Sequence, residues 1–393
     1  MINPFVRDYF KNKRIEKNFK LETGDKIIDG GVNVIGFINS EFGLGHTSRC
    51  FIDAIQKSEI PMNIIEKKLN NKSNSNYWKT SNKCEYSVNI HSYNPSTENS
   101  NFKELFKNRY NIGIWFFELE TLPENWKKLS ENYNEIWATT SFLEDVFKKE
   151  LPGKKIRRIN HPLPSVSKLD KNESKSYFEI DPDEFVCLFI FDFHSDIYRK
   201  NPLAVIETFQ KTFKNEKVRL IIKSHSGTTE QVNIINQRIK SDSRITHYSE
   251  NWPSKDINIL MNACDVYISL HRSEGLGLTL LESIALEKPT LCTNYSGNLD
   301  FCRPEWSELV DYEMIEIDKN SDYFKHYGMQ NKSVRWANPK VDDAVIKLRK
   351  IYDNYSEYEQ KSSIGSQWIL ENYGLDKISN EIKAHLNNEI NNN

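Results

Sequence analysis

The chain has no apolar run near the ~20 residues a helix needs to span a bilayer, no CxxC pair, and no excess of one charge. The first absence argues against a membrane-spanning helix. The second, with no matching histidine spacing, argues against structural zinc. The third, a net charge of -2 from 53 basic and 55 acidic residues, lacks the basic footprint of a nucleic-acid binder. The opening "MINPFVRDYFKNKRIEKNF" has no apolar core of the secretory kind. It reads as a partly ordered amphipathic arm, with peripheral contact to a membrane surface as the alternative. The expected location is the cytoplasm, at most its membrane face. The six cysteines, Cys50, Cys84, Cys187, Cys264, Cys292 and Cys302, read as buried free thiols of a reducing compartment. The acidic "DPD" (181–183) and "DD" (342–343) fall in loop or terminal contexts and make poor metal sites, so neither a metal nor a cofactor is expected. The closing "LNNEINNN" is polar and reads as frayed.

A length of 393 residues exceeds one ordinary core and points to two domains. With 38% hydrophobic and 27% charged residues, the composition is that of a soluble globular protein. Strand and helix signals alternate, which predicts α/β domains with parallel sheets. "VNVIGFI" (32–38) reads as a buried strand, followed by a glycine turn and a helix in "NSEFGLGHTSRCFIDAIQKS". Further strands are expected in "MNIIE", "YSVNIH", "YNIGIWFF", "EIWATT" and "KIRRINH". The stretch "PLPSVSKLDKNESKSYFEIDPDE" (162–184) interrupts this rhythm and reads as an interdomain linker. A second series runs from "FVCLFIF" (185–191) through "VRLIIKS", "RITHY", "DVYISLH" and "PTLCT". In doubly wound sheets ligands gather at the carboxyl ends of strands, and in a two-domain chain the cleft between domains is the expected site.

The most informative stretch is "HRSEGLGLTLLESIALEKPT" (271–290). A strand ends at His271, a turn holds Gly275 and Gly277, and a helix begins near Leu278. A helix N-terminus offers backbone N–H groups to an anion such as a diphosphate. The glycines let a ligand approach the backbone closely. Glu282 sits among apolar neighbours in "LTLLESIAL". A buried carboxylate needs a hydrogen-bond partner, and the two hydroxyls of a ribose suit it. Spacing alone equally permits a glutamate on the exposed stripe of an amphipathic helix.

"SEGLGLTLLESIALEKPTLCTNYSGN" resembles the donor-binding signature of glycosyltransferase family 4, whose members are retaining enzymes of the two-domain GT-B architecture. The E-x7-E pair matches at Glu274 and Glu282. The resemblance implies that Glu274 contacts the donor sugar and Glu282 the ribose, and that Leu276, Leu278 and Thr279 lie with the glycines at the diphosphate seat. "NYSGNLDF" (294–301) resembles the family's next loop, where Asn294, Ser296 and Gly297 would meet the donor. "FIFDFHSDIYRKNPLAVIETF" (189–209) resembles the first strand, loop and helix of its second domain. Lys200 matches the lysine of the diphosphate clamp. The usual arginine position falls at Ser195, so either Arg199 or the Ser195 hydroxyl must take that part. In the first domain, "INSEFGLGHTSRCFIDAI" resembles the glycine-rich loop, with Gly43, Gly45, His46 and Arg49 near donor or acceptor. "IGIWFFELETLPENW" resembles a bacterial subgroup and places Trp115, Glu118 and Glu120 after a strand. Either His91 or one of those two glutamates stands where members carry a sugar-contacting histidine, and the residues leave the choice open. At least two of Trp115, Phe116 and Phe117 also read as plain core.

The expectation is therefore a GT-B protein with two Rossmann-like domains facing a cleft, an acceptor domain at 1–165 and a donor domain at 166–362. The segment 363–393 would form a helix crossing back. The implied reaction moves a sugar, a hexose by preference, from a nucleotide sugar (UDP- or GDP-linked) to a glycan or lipid-linked acceptor, in bacterial surface polysaccharide synthesis. The alternatives are a non-catalytic nucleotide-sugar-binding subunit or an epimerase of the same fold.

Overall fold

A computed structural model describes residues 22–67, 77–95 and 104–392. The basic aromatic arm of the N-terminus lies outside them. The chain divides into two compact units. The first takes the chain up to Pro164, then Asp318–Lys332, and again from Asn372; the second comprises Ser165–Ile317 and Ser333–Glu371. The second unit begins at Ser165, and the chain leaves it at Ile317, returns at Ser333 and leaves finally at Glu371. Among the described residues no helix is long and apolar enough to cross a membrane.

The first unit holds six parallel strands: β1 (Glu22–Gly36), β2 (Met62–Glu66), β3 (Lys83–Ser92), β4 (Tyr110–Ile114), β5 (Glu135–Ala138) and β6 (Lys155–Arg158). Their order is β2-β1-β3-β4-β5-β6. Helix α1 (Gly43–Lys57) follows β1, and α2 (Glu124–Leu129) and α3 (Ser141–Glu150) follow β4 and β5. Strand stretches such as Val88–Ile90 and Ile112–Ile114 are buried on both faces, as parallel sheets covered by helices require. Three asparagines in register on adjacent strands, Asn33, Asn89 and Asn111, form a buried amide chain. Asn33 Nδ2 donates to Asn89 Oδ1 at 2.9 Å, and Asn89 Nδ2 to Asn111 Oδ1 at 3.0 Å. A buried polar group needs such a partner, and here each amide supplies the next.

The second unit begins with α4 (Lys171–Tyr177), inside the stretch that reads as linker. Asp170 caps it by accepting from the Glu173 amide. Lys171 and Lys175 reach Asp265 at 2.9 and 3.1 Å, so this segment is part of the unit and not a tether. Its sheet comprises β7 (Phe185–Asp192), β8 (Val218–His225), β9 (Ile245–Tyr248), β10 (Val266–Ser269), β11 (Thr290–Thr293) and β12 (Ser307–Val310). The order is β12-β11-β10-β7-β8-β9, and all these pairings are parallel. Between the strands lie α5 (Ile197–Lys200), α6 (Pro202–Thr212), α7 (Thr229–Ile239), α8 (Ser254–Ala263) and α9 (Leu278–Ala285). The core is built from β7, β8, α6 and their neighbours, with Phe189, Phe209, Leu220 and Ile268 at its centre. The six cysteines are buried free thiols.

An antiparallel pair, β13 (Tyr312–Glu316) and β14 (Arg335–Pro339), brackets α10 (Asp322–Tyr327). Helices α11 (Val341–Asp353), α12 (Tyr355–Tyr373) and α13 (Leu375–Asn392) close the chain. The expected frayed tail is thus helical to Asn392. Ile378, Ile382, Leu386 and Ile390 recur every four residues and are buried in the first unit's core. That stripe outweighs the polar composition around it.

Candidate functional site

In the second sheet β7 and β10 are neighbours, while the chain winds outward from each in opposite directions. Such a switch point opens a crevice at the carboxyl ends of the two strands. The segments leaving it are 193–200 after β7 and 270–277 after β10. These contain most of the second-unit residues singled out by sequence.

The turn after β7 is held by local bonds. Asp196, at φ 70°, caps α5 by accepting from the Arg199 amide. Asn201, at φ 56°, donates its side-chain amide to Leu270 O at 3.0 Å. This places Lys200 Nζ 2.5 Å from Glu274 Oε1. Arg199 is buried and turned inward. Its Nη1 donates to Ser273 O at 2.7 Å and lies 3.2 Å from Glu274 Oε2, while its Nε donates to Ser195 O at 3.0 Å. Of the two substitutes for the clamp arginine, Arg199 is thus a brace that fixes the position of Glu274. Ser195 is half-buried and contributes its carbonyl. Burial works to raise the Glu274 pKa, but Lys200 and Arg199 beside it hold the carboxyl at about 2.

The glycine turn is fastened to the following loop. Glu274 N donates to Ser296 Oγ at 2.8 Å, and Gly297 N to Glu274 O at 2.9 Å. A Cβ on Gly297 would stand 2.2 Å from Gly275 O, so only glycine permits this approach. Ser296 holds φ 75°, and Asn294 N donates to Val310 O. Gly277, at φ 88°, is the N-cap of α9 and supplies no side-chain cap. The Leu278 and Thr279 amides have no carbonyl one turn earlier inside the helix. Leu276 is buried and Leu278 half-buried. Thr279 Oγ1 accepts from Tyr267 OH at 2.7 Å, which orients the helix start.

Glu282 lies one turn further on and is 9% exposed. Of the two readings open to it, the structure selects burial. No side-chain hydrogen bond or ion pair satisfies it among the described residues, and burial raises its pKa to about 8. His271 is fully buried, with both ring nitrogens lacking a hydrogen bond of good geometry. Burial lowers its pKa to about 4. Sequence reasoning missed the structural parts of His271, Tyr267, Asn298 and Arg272. Asn298 Nδ2 donates to Thr293 O at 3.1 Å, and Arg272 binds Asn338 Oδ1 at 3.1 Å. None belongs to a recognisable spacing, though Asn298 closes the quoted "NYSGN".

In the first unit, β1 and β3 flank the switch point. Gly43 is exposed at the start of α1, and a Cβ on Gly45 would meet Ser40 O at 2.1 Å. His46 stands in the first turn of α1, half-buried; burial and then the Arg49 charge lower its pKa to about 4. Arg49 is engaged in the loop, donating to Ile38 O and Ser40 O at 2.9 and 3.1 Å, with its guanidinium 4.1 Å from the centre of the Tyr77 ring. His91 is a core histidine. Its Nδ1 pairs with Tyr93 OH at 3.0 Å and Nε2 with Asn111 Oδ1 at 3.1 Å, and its ring stacks on Phe106. Trp115 and Phe117 are fully buried, as expected of at least two in that aromatic run. Glu118 is half-buried and accepts from Tyr323 OH at 3.1 Å, whereas Glu120 is exposed.

The one cluster with metal-ligand proximity among the described residues is Glu135, His385 and Glu389. Lys155 lies 3.0 Å from Glu135 and 2.6 Å from Glu389, and Arg157 lies 2.8 Å from Glu135. Those cations already neutralise the carboxylates, so the cluster is an ion-pair knot. The acidic "DPD" and "DD" are likewise tied to lysines, Asp181 to Lys217 and Asp342 to Lys211.

The architecture is the GT-B fold. Sucrose-phosphate synthase from Thermosynechococcus elongatus is similar with a TM-score of 0.69 at 10% identity, over 92% of this chain and 100% of that one. A glycosyltransferase from Rickettsia africae is similar with a TM-score of 0.67 at 13% identity, over 94% and 100%. HepE from Anabaena, in complex with UDP and glucose, gives 0.62 at 11% identity, over 91% and 99%. The family model described as glycosyl transferases group 1 matches residues 170–310, which span α4 to β12. No curated protein sequence matches the chain.

Proposed function

We propose that the protein is a retaining glycosyltransferase that moves a hexose from a nucleotide sugar to a hydroxyl of a glycan or lipid-linked acceptor. The observation that carries this reading is the switch point of the second unit. A helix start without a side-chain cap, the Lys200–Glu274 pair and the unpartnered, buried Glu282 all leave from or follow its two strands. The uncapped amides and Lys200 suit a diphosphate. Glu274, fixed by Arg199, suits a sugar hydroxyl. Glu282 lies about 6 Å along the helix from Leu278 at ~1.5 Å per residue, a span that suits a ribose beyond the α-phosphate. The match to glycosyl transferases group 1 and the UDP and glucose named with the Anabaena structure support the same class of donor.

In this reading the leaving diphosphate gains negative charge, and Lys200 with the α9 amides stabilises it. The chain's own cations and dipoles serve where other enzymes use a divalent ion. No side chain is assigned as covalent nucleophile. Substitution on one face, with the departing phosphate taking the acceptor proton, accounts for retention. Glu118 and Glu120 of the first unit are the candidates on the acceptor side, together with the Gly43–Gly45 turn, and bacterial surface polysaccharide is the setting. Thermal-shift measurements with UDP, GDP, ADP and dTDP, followed by hydrolysis of the matching sugar nucleotides in EDTA, test the proposal. Stabilisation by one base and EDTA-resistant release of nucleoside diphosphate are expected. Binding without release would leave a non-catalytic binding subunit instead.

A further inference from the structure

The two glutamates of the second unit sit in opposite environments. Glu274 lies between two cations, at 2.5 and 3.2 Å. Glu282 is as deeply buried and has none. The elements packed against its helix bring no cation to it. On β10 the titratable neighbour is Tyr267, whose hydroxyl is spent on Thr279 and the Ile190 carbonyl. On β11 it is the buried Cys292. Helix α12 holds Ala285 O through Ser366, and its own charges are engaged elsewhere, Lys361 with Glu357 and Glu359 with Lys171. Lys288, just past α9, donates to Asn262 O. Two carboxyls in one site whose surroundings push them apart take different protonation states.

We infer that Glu282 receives the ribose as an un-ionised carboxylic acid, donating one hydrogen bond to a hydroxyl and accepting one from its neighbour. The inference rests on the proposed donor site and deepens it. A neutral carboxyl has a donor and an acceptor side, like an amide, and a cis-diol can answer both. Burial without a partner holds the proton on Glu282 up to about pH 8. A diphosphate seated at the start of the same helix adds negative charge nearby, which disfavours ionisation further. Ligand binding therefore keeps the proton rather than expelling it. Raising the pH through the carboxyl's titration charges the free protein's site and weakens the nucleotide.

The test uses the full chain and whichever of UDP, GDP or ADP binds at pH 7. Its affinity is measured from pH 7 to 9.5, where the diphosphate is predominantly ionised, for the wild type and for Glu282→Gln. The Gln variant, an amide isostere of the neutral acid, should bind within about threefold of wild type at pH 7. Relative to that variant, wild-type affinity should fall about tenfold by pH 9, one proton's worth of titration. A ratio that stays flat or rises with pH overturns the inference, as does loss of binding in the Gln variant at pH 7 with folding intact. Should that variant not fold, calorimetry on the wild type in HEPES and in Tris, which differ in ionisation enthalpy, decides. Binding at pH 7 should exchange no proton, and release of about one proton overturns the inference. Failure of the donor-site proposal is distinct, because then none of the three nucleotides binds at any pH.

Discussion

Lys200 and Glu274 are joined at 2.5 Å across the switch point of the second sheet, one from the turn after β7 and the other from the turn after β10. The cation proposed for the phosphate is thus paired with the carboxylate proposed for the sugar. Arg199 keeps that carboxylate in place through Ser273 O and Ser195 O. In the proposed site a diphosphate would share or take over Lys200, while Arg199 continues to brace Glu274.

The first prediction concerns this pair. Lys200→Ala should lower the rate of nucleotide release about 10²–10³-fold, the scale seen when one group stabilising a developing charge is lost. Glu274→Gln should bind free nucleoside diphosphate as well as or better than wild type, because Lys200 is released, yet lose turnover. Steady-state kinetics with calorimetric nucleotide binding checks both. Unchanged turnover in either variant would remove these residues from the site.

The two glutamates should also leave opposite marks on stability. Glu274 titrates near 2 in the fold against 4.5 as the ordinary value, so its contribution is complete above about pH 4.5 and is lost as pH falls toward 2. A depression of about two and a half units is worth about 3 kcal/mol. Glu282 titrates near 8 in the fold. There the folded state holds a proton that the unfolded state has released, so stability falls as pH rises from 4.5 to 8. Glu282→Gln should therefore be more stable than wild type at pH 8, by about 4 kcal/mol, and the gain should vanish near pH 4. Urea denaturation at pH 4, 6 and 8 measures it.

Gly297→Ala should disable the donor loop. The new Cβ would meet Gly275 O at 2.2 Å and Glu274 O at 2.9 Å, both backbone atoms. The loop and the turn must part, which displaces the Glu274 carbonyl from its bond with the residue 297 amide. Overpacking of this sort costs about 1–3 kcal/mol, and nucleotide affinity should fall at least about tenfold. By contrast Gly43→Ala, with nothing within 4 Å of its Cβ, should fold and bind as wild type does. Paired thermal melts and nucleotide titrations of both variants decide it.

The two α/β domains and the second-unit turn were legible because they depend on local pattern, while the GT-B architecture came from the resemblance carried by residues 271–301. Continuous apolar strands such as Phe185–Phe191 announce a buried parallel sheet, and Gly275 and Gly277 announce a turn that must come close to something. What stayed hidden depends on long-range pairing. Arg199 follows Asp196 by three residues, yet its partner Ser273 O is 74 residues away, so nothing local distinguishes a phosphate clamp from a brace. His91 looks like a strand-end ligand until Tyr93, Asn111 and Phe106 surround it. The tail deceived in the same way, since its asparagines hide a four-residue apolar stripe.

That stripe yields the last prediction. Helix α13 buries Ile378, Ile382, Leu386 and Ile390 in the first unit's core, and Lys155 reaches Glu389 at 2.6 Å. Each fully buried aliphatic side chain is worth about 1.5–3 kcal/mol. Four of them approach the whole stability of an ordinary domain, about 5–15 kcal/mol. Ending the chain at Gly374 should therefore abolish cooperative unfolding of the first unit. Leu386→Ala alone should cost about 2–5 kcal/mol. The partly exposed Lys155–Glu389 pair is worth little by comparison, so Glu389→Gln should cost no more than about 1 kcal/mol. Denaturant titrations of the three variants, read by far-ultraviolet circular dichroism, should rank them in that order. A truncated chain that unfolds like wild type would show the helix to be an accessory and not part of the core.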